Sequence, residues 1–212
     1  MIKLLDTENL SRWDDFVKNS TKATFFHLSG WKEVLERSFG HKTYFMYTEL
    51  NGEITGVLPL VHIKSRLFGN ALSSTAFCVY GGVVANDEST SIELDNEACK
   101  LAESLGVDYL EMRNTVQKRI DRPYKELYVT FRKSLDADIE KNFSAIPRKQ
   151  RAMVRKGIDA GLSSVIDNNI ERFYRAYSES VRNLGTPVFA KKYFQILKEV
   201  FADQCEILTV EL

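Results

Sequence analysis

Residues 163–212 repeat the apolar spacing of residues 1–50. Thr186 lies 162 positions after Thr24 (186 − 24), and the same offset places Val188 on Phe26, Tyr193 on Trp31, Ile196 on Val34, Leu197 on Leu35, Phe201 on Phe39 and Leu212 on Leu50. Strand, helix, short connection, helix and strand follow one another in both stretches. A repeat of this length predicts two copies of one folding unit in a single chain. The organisation expected is a first domain over 1–135, a connecting segment over 136–161, and an incomplete second copy over 162–212. Leu208, Val210 and Leu212 would end the chain on an apolar strand with an open edge, which invites mispairing. The chain is therefore expected to be the N-terminal part of a longer protein.

The first copy reads as a mixture of hairpins and crossovers. Residues 2–5 suggest a strand, and residues 9–19 a helix with Leu10, Trp13, Phe16 and Val17 on one face. Ser29 is placed to cap a second helix over 29–39, with Glu33 near the capping-box position and Gly40 as the stop. Strands over 43–50 and 54–63 flank Asn51-Gly52, a strong two-residue hairpin signal. Pro59 interrupts the second of these, which suggests an edge or a bulge. Further strands are expected over 72–80, 107–113 and 126–131, with a helix over 90–105 before Gly106. Beyond the connecting segment come a strand (162–166), helices over 169–183 and 190–201, and a strand over 206–212. The order β-α-α-β-β-β-α-β-β describes an α/β domain with a mixed sheet.

Residues 143–162, FSAIPRKQRAMVRKGIDAGL, read as one helix. Ser144 would cap it, Pro147 suits a first turn and Gly161 would end it. Arg148, Lys149, Arg151, Arg155 and Lys156 place five cations in nine residues, in a chain whose formal net charge is zero. Arg148, Arg151 and Arg155 share one face at i, i+3 and i+7, with Ile146, Val154, Ile158 and Leu162 as the stripe behind. Such a face is either an ordinary solvated surface or a seat for a phosphate, an acidic glycan or nucleic acid.

The pattern Pro-Arg-Lys-x-Arg-x-x-x-Arg-Lys-x-x-x-x-Gly-Leu, from Pro147 to Leu162, resembles the central helix of FemAB-like proteins, and most of all the exosortase-associated FemAB-related group. Tyr80-Gly81-Gly82, Glu111-Met112-Arg113 and the run from Ser180 to Pro187 are similar to stretches of the same group. The resemblance implies tandem GNAT folds, that is, acyl-CoA N-acyltransferase-like domains with a mixed sheet and flanking helices. It implies acyl or aminoacyl transfer, forming an amide, on a cell-envelope or exopolysaccharide precursor. Acyl-CoA or aminoacyl-tRNA would be the donor substrate, with no tightly bound cofactor. The anion-binding residues expected are Arg148, Arg151, Arg155 and Lys156, joined by Arg182 and Asn183 at the end of the following helix. A small or nucleotide-linked anion is the expected partner, with tRNA a further one. No catalytic base is identified. A non-catalytic anion-binding module, or a structural half of a two-domain protein, is the alternative.

The remaining motifs narrow the field. Arg66-Leu67-Phe68-Gly69-Asn70-Ala71 fits R-x-x-G-x-A, a pyrophosphate-loop pattern that needs a helix behind it. Residue 72 onward reads as a strand, so a hairpin turn at Gly69 is the better reading. Gly81-Gly82 reads as a tight turn. Glu111 and Arg113 point to one side of their strand, either paired or lining a cleft. His27, His41 and His62 share no metal-ligand spacing. Three cysteines far apart, Cys78, Cys99 and Cys205, suit reduced thiols. The apolar start of the chain is broken by Lys3 and Asp6, so neither a signal peptide nor a membrane span is expected there, and the cytoplasm is the compartment expected.

Overall fold

A computed structural model describes residues 1–65, 69–125 and 128–211. The chain divides into two compact units, Met1–Ile120 with Lys192–Ala202, and Asp121–Lys191 with Asp203–Leu212. In the first, β1 (Ile2–Leu4), α1 (Leu10–Asn19) and α2 (Gly30–Phe39) precede the long strands β2 (Lys42–Leu50) and β3 (Glu53–Ser65). Then come β4 (Gly69–Ser74), β5 (Val84–Ala85), α3 (Glu88–Leu105) and β6 (Tyr109–Glu111). The sheet runs β1-β2-β3-β4-β6 with β5 also on β3, all antiparallel except β4 with β6. This is an α/β fold with a mixed sheet and flanking helices, as the order of elements implies.

Side-chain alternation along the strands builds two core layers. Tyr44, Met46, Leu58, Leu60 and Leu72 face α3, meeting Leu94 and Ala98. Leu35 of α2 packs with Val61 and Ala76, while Trp13 of α1 stacks on Phe45 at 5.4 Å. Asn51 (φ 52°) and Gly52 (φ 85°) both take the left-handed conformation a type I′ hairpin requires. The helix starts are less regular. Ser29 does not cap α2 through its hydroxyl. Its N–H and Oγ donate to the Asp14 carboxylate at 2.7 and 3.0 Å, tying α2 to α1.

Pro59 lies in the sheet's central strand, contrary to the edge or bulge expected of it. It faces Phe45 of β2, whose carbonyl accepts the Leu5 N–H on the opposite side, so this pair exchanges no hydrogen bonds. The proline's missing donor therefore points away from β2, into the gap where the neighbour of β3 changes from β4 to β5. The strand expected over 72–80 begins at Gly69 and stops at Ser74. Thr75 (φ 41°) and Phe77 (φ 65°) turn the chain out of the sheet. The Gly69 turn adjoins residues 66–68, which lie outside the described residues, as do 126 and 127 of the strand expected over 126–131. Tyr128–Phe131, as residues 128–131, form no strand.

The second unit contains α4 (Ile139–Ser144), α5 (Arg148–Asp159), β7 (Ser163–Asp167), α6 (Ile170–Asn183) and β8 (Ile207–Glu211). Between α6 and β8 the chain forms α7 (Lys191–Phe201), whose residues from Lys192 on pack within the first unit. The single helix expected over 143–162 is two helices. Ile146 precedes a proline, which disfavours helical backbone, and Pro147 (ψ 143°) is extended at the N-cap of α5. Ser144 instead closes α4. Gly161 ends α5 as expected, with Gly161 N–H on the Ile158 carbonyl (2.9 Å) and Leu162 N–H on that of Gly157 (3.1 Å). That pair of bonds is a Schellman motif, and Gly185 ends α6 in the same way. No described residue of this unit is buried: Val154, Ile158 and Leu162 of the stripe expected behind the cations are 43, 63 and 44% exposed.

Candidate functional site

Two places in the chain gather chemistry. The first lies in the first unit, where β4 and β6 part. Their parallel register ends at Ser73↔Glu111. Beyond it a side chain takes over from the backbone: Arg113 N–H donates to Ser74 Oγ at 2.7 Å. The Arg113 carbonyl accepts from Gly81 and Gly82 N–H at 3.1 and 3.3 Å, so the segment after the strained turn is drawn in against β6. Glu111 and Arg113 pair with each other, Nη2 to Oε2 at 3.1 Å, and Ser73 Oγ donates to the same carboxylate at 3.3 Å. The other arm of the Arg113 guanidinium donates to the Cys78 carbonyl.

Gly81 and Gly82 are glycines for space. Neither takes a positive φ, unlike a tight glycine turn. A Cβ on Gly81 would lie 2.3 Å from Thr75 Oγ1 and 2.9 Å from the Ser74 carbonyl, and one on Gly82 would lie 1.9 Å from Asn114 Oδ1. The Asn114 oxygen is buried and accepts no hydrogen bond. On the other side, buried His27 holds the Gly82 carbonyl from Nε2 at 3.0 Å, while its Nδ1 accepts the Thr24 N–H at 3.1 Å. That arrangement assigns the proton to Nε2. Trp13 Nε1 donates in turn to the His27 carbonyl at 2.7 Å. An unbroken line of contacts thus runs from the core through His27 to the Glu111–Arg113 pair.

Burial lowers the pKa of His27 further than its backbone hydrogen bonds raise it, so its imidazole is neutral at pH 7. Burial likewise pushes the Cys78 thiol up to about 12 against a smaller opposing pull from Arg113, which keeps it a thiol and not a nucleophile. A histidine with a depressed folded pKa binds its proton more readily when unfolded. Stability is then fully present above the unfolded value of about 6.5 and falls as pH drops below it. We expect urea midpoints to decline from pH 7 to pH 5, with the decline reduced in His27→Gln, whose amide can still donate to Gly82. His41, also lowered by burial and then by His62, supplies the remainder. Equal slopes for the two proteins would show that His27 does not titrate as described.

The second place is α5 in the second unit. Arg148, Lys149, Arg155 and Lys156 are exposed, and Arg151 is half-buried with Nη1 donating to the Ser144 carbonyl at 3.0 Å. The Arg155 guanidinium lies 5.3 Å over the Phe143 ring. Among the described residues no carboxylate pairs with any of these five cations, whereas Arg172 and Lys191 of the same unit are paired with Asp167, Glu211 and Glu171. Arg148, Arg151 and Arg155 share one face of a helix, as the spacing requires. Arg182 and Asn183 belong to a different helix, the last turn of α6, both exposed, with the Arg182 carbonyl accepting from Gly185. The backbone strain at Thr75 and Phe77 and the packing role of the two glycines carry no signal in the sequence.

Comparison with solved structures places the fold. The chain is similar in fold to FemX along its whole length. FemX matches over 100% of this chain with a TM-score of 0.67 at 15% identity. The chain spans 58% of the length of FemX. A GNAT family acetyltransferase from Staphylococcus aureus (TM-score 0.39, 10% identity) and an aminoglycoside antibiotic 6′-N-acetyltransferase from Acinetobacter haemolyticus (0.42, 13%) each match over 64% of this chain and nearly all of their own. No protein-family model and no curated protein matches the chain. Among the described residues no helix is long and apolar enough to cross a membrane.

Proposed function

We propose that the chain is the substrate-holding part of a transferase of the acyltransferase superfamily. It would join an acyl or aminoacyl group to an amine on a cell-envelope or exopolysaccharide precursor. The observation that carries this reading is the likeness to FemX over the whole chain. In such a reaction an amine attacks an activated acyl carbon. Positioning and stabilisation of the developing oxyanion supply most of the acceleration. The α5 face supports a positioning role. Arg148, Arg151 and Arg155 bring fork-shaped donors to one line, Lys156 adds a point charge, and among the described residues no carboxylate forms an ion pair with them. A phosphate or a nucleotide-linked precursor is the chemistry such a line receives. Acyl-CoA or aminoacyl-tRNA is the donor proposed.

Thermal denaturation of the whole chain with UDP-N-acetylglucosamine, acetyl-CoA or charged tRNA tests this. A ligand at about a hundredfold over its Kd stabilises by about 2.7 kcal/mol, which reads as a clear rise in melting temperature. The rise is expected to vanish in R148Q/R151Q/R155Q. No rise with any of the three overturns the reading. A rise that survives the triple substitution moves the anion site away from α5. A non-catalytic module is favoured by the same unpaired cations. It is the better reading if only tRNA binds, affinity falls steeply with salt and no amide forms.

A further inference from the structure

The contacts of α7 on α2 come in reciprocal pairs at the 162-residue offset. Trp31 meets Phe201 with ring centroids 5.2 Å apart, and Tyr193 meets Phe39, also at 5.2 Å. Subtracting 162 from 193 and 201 gives 31 and 39. Position 31 of each helix therefore touches position 39 of the other. Arg37 donates from Nη2 and Nη1 to the Glu199 carboxylate at 2.7 and 3.0 Å, and these two residues are themselves 162 apart. A residue that meets its own counterpart lies beside a two-fold axis. The start of each helix meets the end of the other, so the two run antiparallel. The strand registers follow the same offset: Ile2↔Thr48 and Leu4↔Met46 in β1–β2 become Ser164↔Val210 and Ile166↔Leu208 in β7–β8.

We infer that α2 and α7 present one and the same self-complementary surface, joined across a local two-fold axis as in a homodimer. The partner this surface fits is another copy of itself, and α7 supplies that copy within the chain. The charge beside the axis makes the pairing selective. Arg37 accepts Glu199 as its opposite, whereas two α2 faces would bring arginine against arginine, an arrangement that repels. The apolar part is close-packed. Gly30 has no room for a side chain, since a Cβ there would lie 2.8 Å from the Phe201 ring and 2.9 Å from Val200.

The test is to invert the seam in the whole chain. Glu33, which also pairs with Arg37, falls on Gln195 at the same offset, so three positions are exchanged on each helix. The half-inverted chains W31Y/E33Q/R37E and Y193W/Q195E/E199R place like charges at the axis. Each should melt at least about 4 °C below the parent, because a loss of 1 kcal/mol moves Tm by roughly 2–4 °C at this size. The fully inverted chain, carrying all six substitutions, exchanges the ring and charge pairs across the axis while leaving Gly30 and Val200 in place, and should melt within about 2 °C of the parent. A fully inverted chain closer in Tm to the half-inverted chains than to the parent overturns the symmetry. Should the ring exchanges prevent folding, R37E, E199R and their double reversal are measured with the rings intact. The double is expected to recover at least half of the loss in the single variants, and a double no better than the singles overturns the axis.

Discussion

Gly82→Ala is expected to lower the melting temperature by about 4–8 °C, and adding Asn114→Ala is expected to restore most of that loss. The added methyl would stand 1.9 Å from Asn114 Oδ1 and 2.7 Å from its Cγ, far inside contact distance, and 3.0 Å from its Cα. Accommodating it means displacing either the Asn114 side chain or the segment that carries the Gly82 carbonyl to His27. Overpacking of this kind costs about 1–3 kcal/mol. Asn114→Ala removes the two nearest atoms and with them an acceptor that is buried without a donor, so by itself it should be neutral or slightly stabilising. The two substitutions should be strongly non-additive. Gly81→Ala offers the contrast. Its methyl would meet the Ser74 carbonyl and Thr75 Cβ, and no truncation of Thr75 short of glycine clears it. Additive losses in G82A/N114A would show that the glycine serves some other purpose.

Trp13→Ala should be the most damaging single truncation in the first unit, at about 3–5 kcal/mol. The indole is fully buried, stacks on Phe45 at 5.4 Å, and donates to the His27 carbonyl at 2.7 Å. Trp13→Phe separates the two contributions. It keeps most of the apolar contact and orphans the His27 carbonyl, a loss of about 1–3 kcal/mol. Urea midpoints measure both. The phenylalanine variant should also weaken the hold on Gly82, because His27 is the link between them. An alanine variant as stable as the parent would remove Trp13 from the line that supports the Glu111–Arg113 pair.

Helices and hairpins of the first unit were legible because their signals are local. Asn51-Gly52, Gly40 and Gly106 each ended or turned an element where expected, and Trp13, Trp31, Val34 and Leu35 are buried as their spacing implies. Where the reading departs from the structure, the deciding neighbour is distant in sequence. Pro59 is tolerated in a central strand only because the adjoining strand changes beside it. Gly81 and Gly82 answer to Thr75 and Asn114, which no local rule connects to them. The break before Pro147 was legible in principle, since the residue before a proline resists helix, yet Ser144 as a cap and Pro147 as a first-turn residue suggested one continuous helix. The cations of α5 were legible as residues and as a face. That no carboxylate among the described residues pairs with them was not, because Glu171, Glu211 and Asp167 are engaged with Arg172 and Lys191.

The residence of Lys192–Ala202 in the first unit means that the polypeptide passes between units three times, near 120, 191 and 202. A fragment ended at residue 135, where the sequence suggested a boundary, would lack α7 and bare the rings of Phe25, Trp31 and Phe39. Such a fragment would be sticky in solution for a reason unrelated to its own sheet. Dissecting this protein into autonomous pieces therefore calls for grafting the eleven residues of α7 onto the first piece by a short linker, not for choosing a better cut.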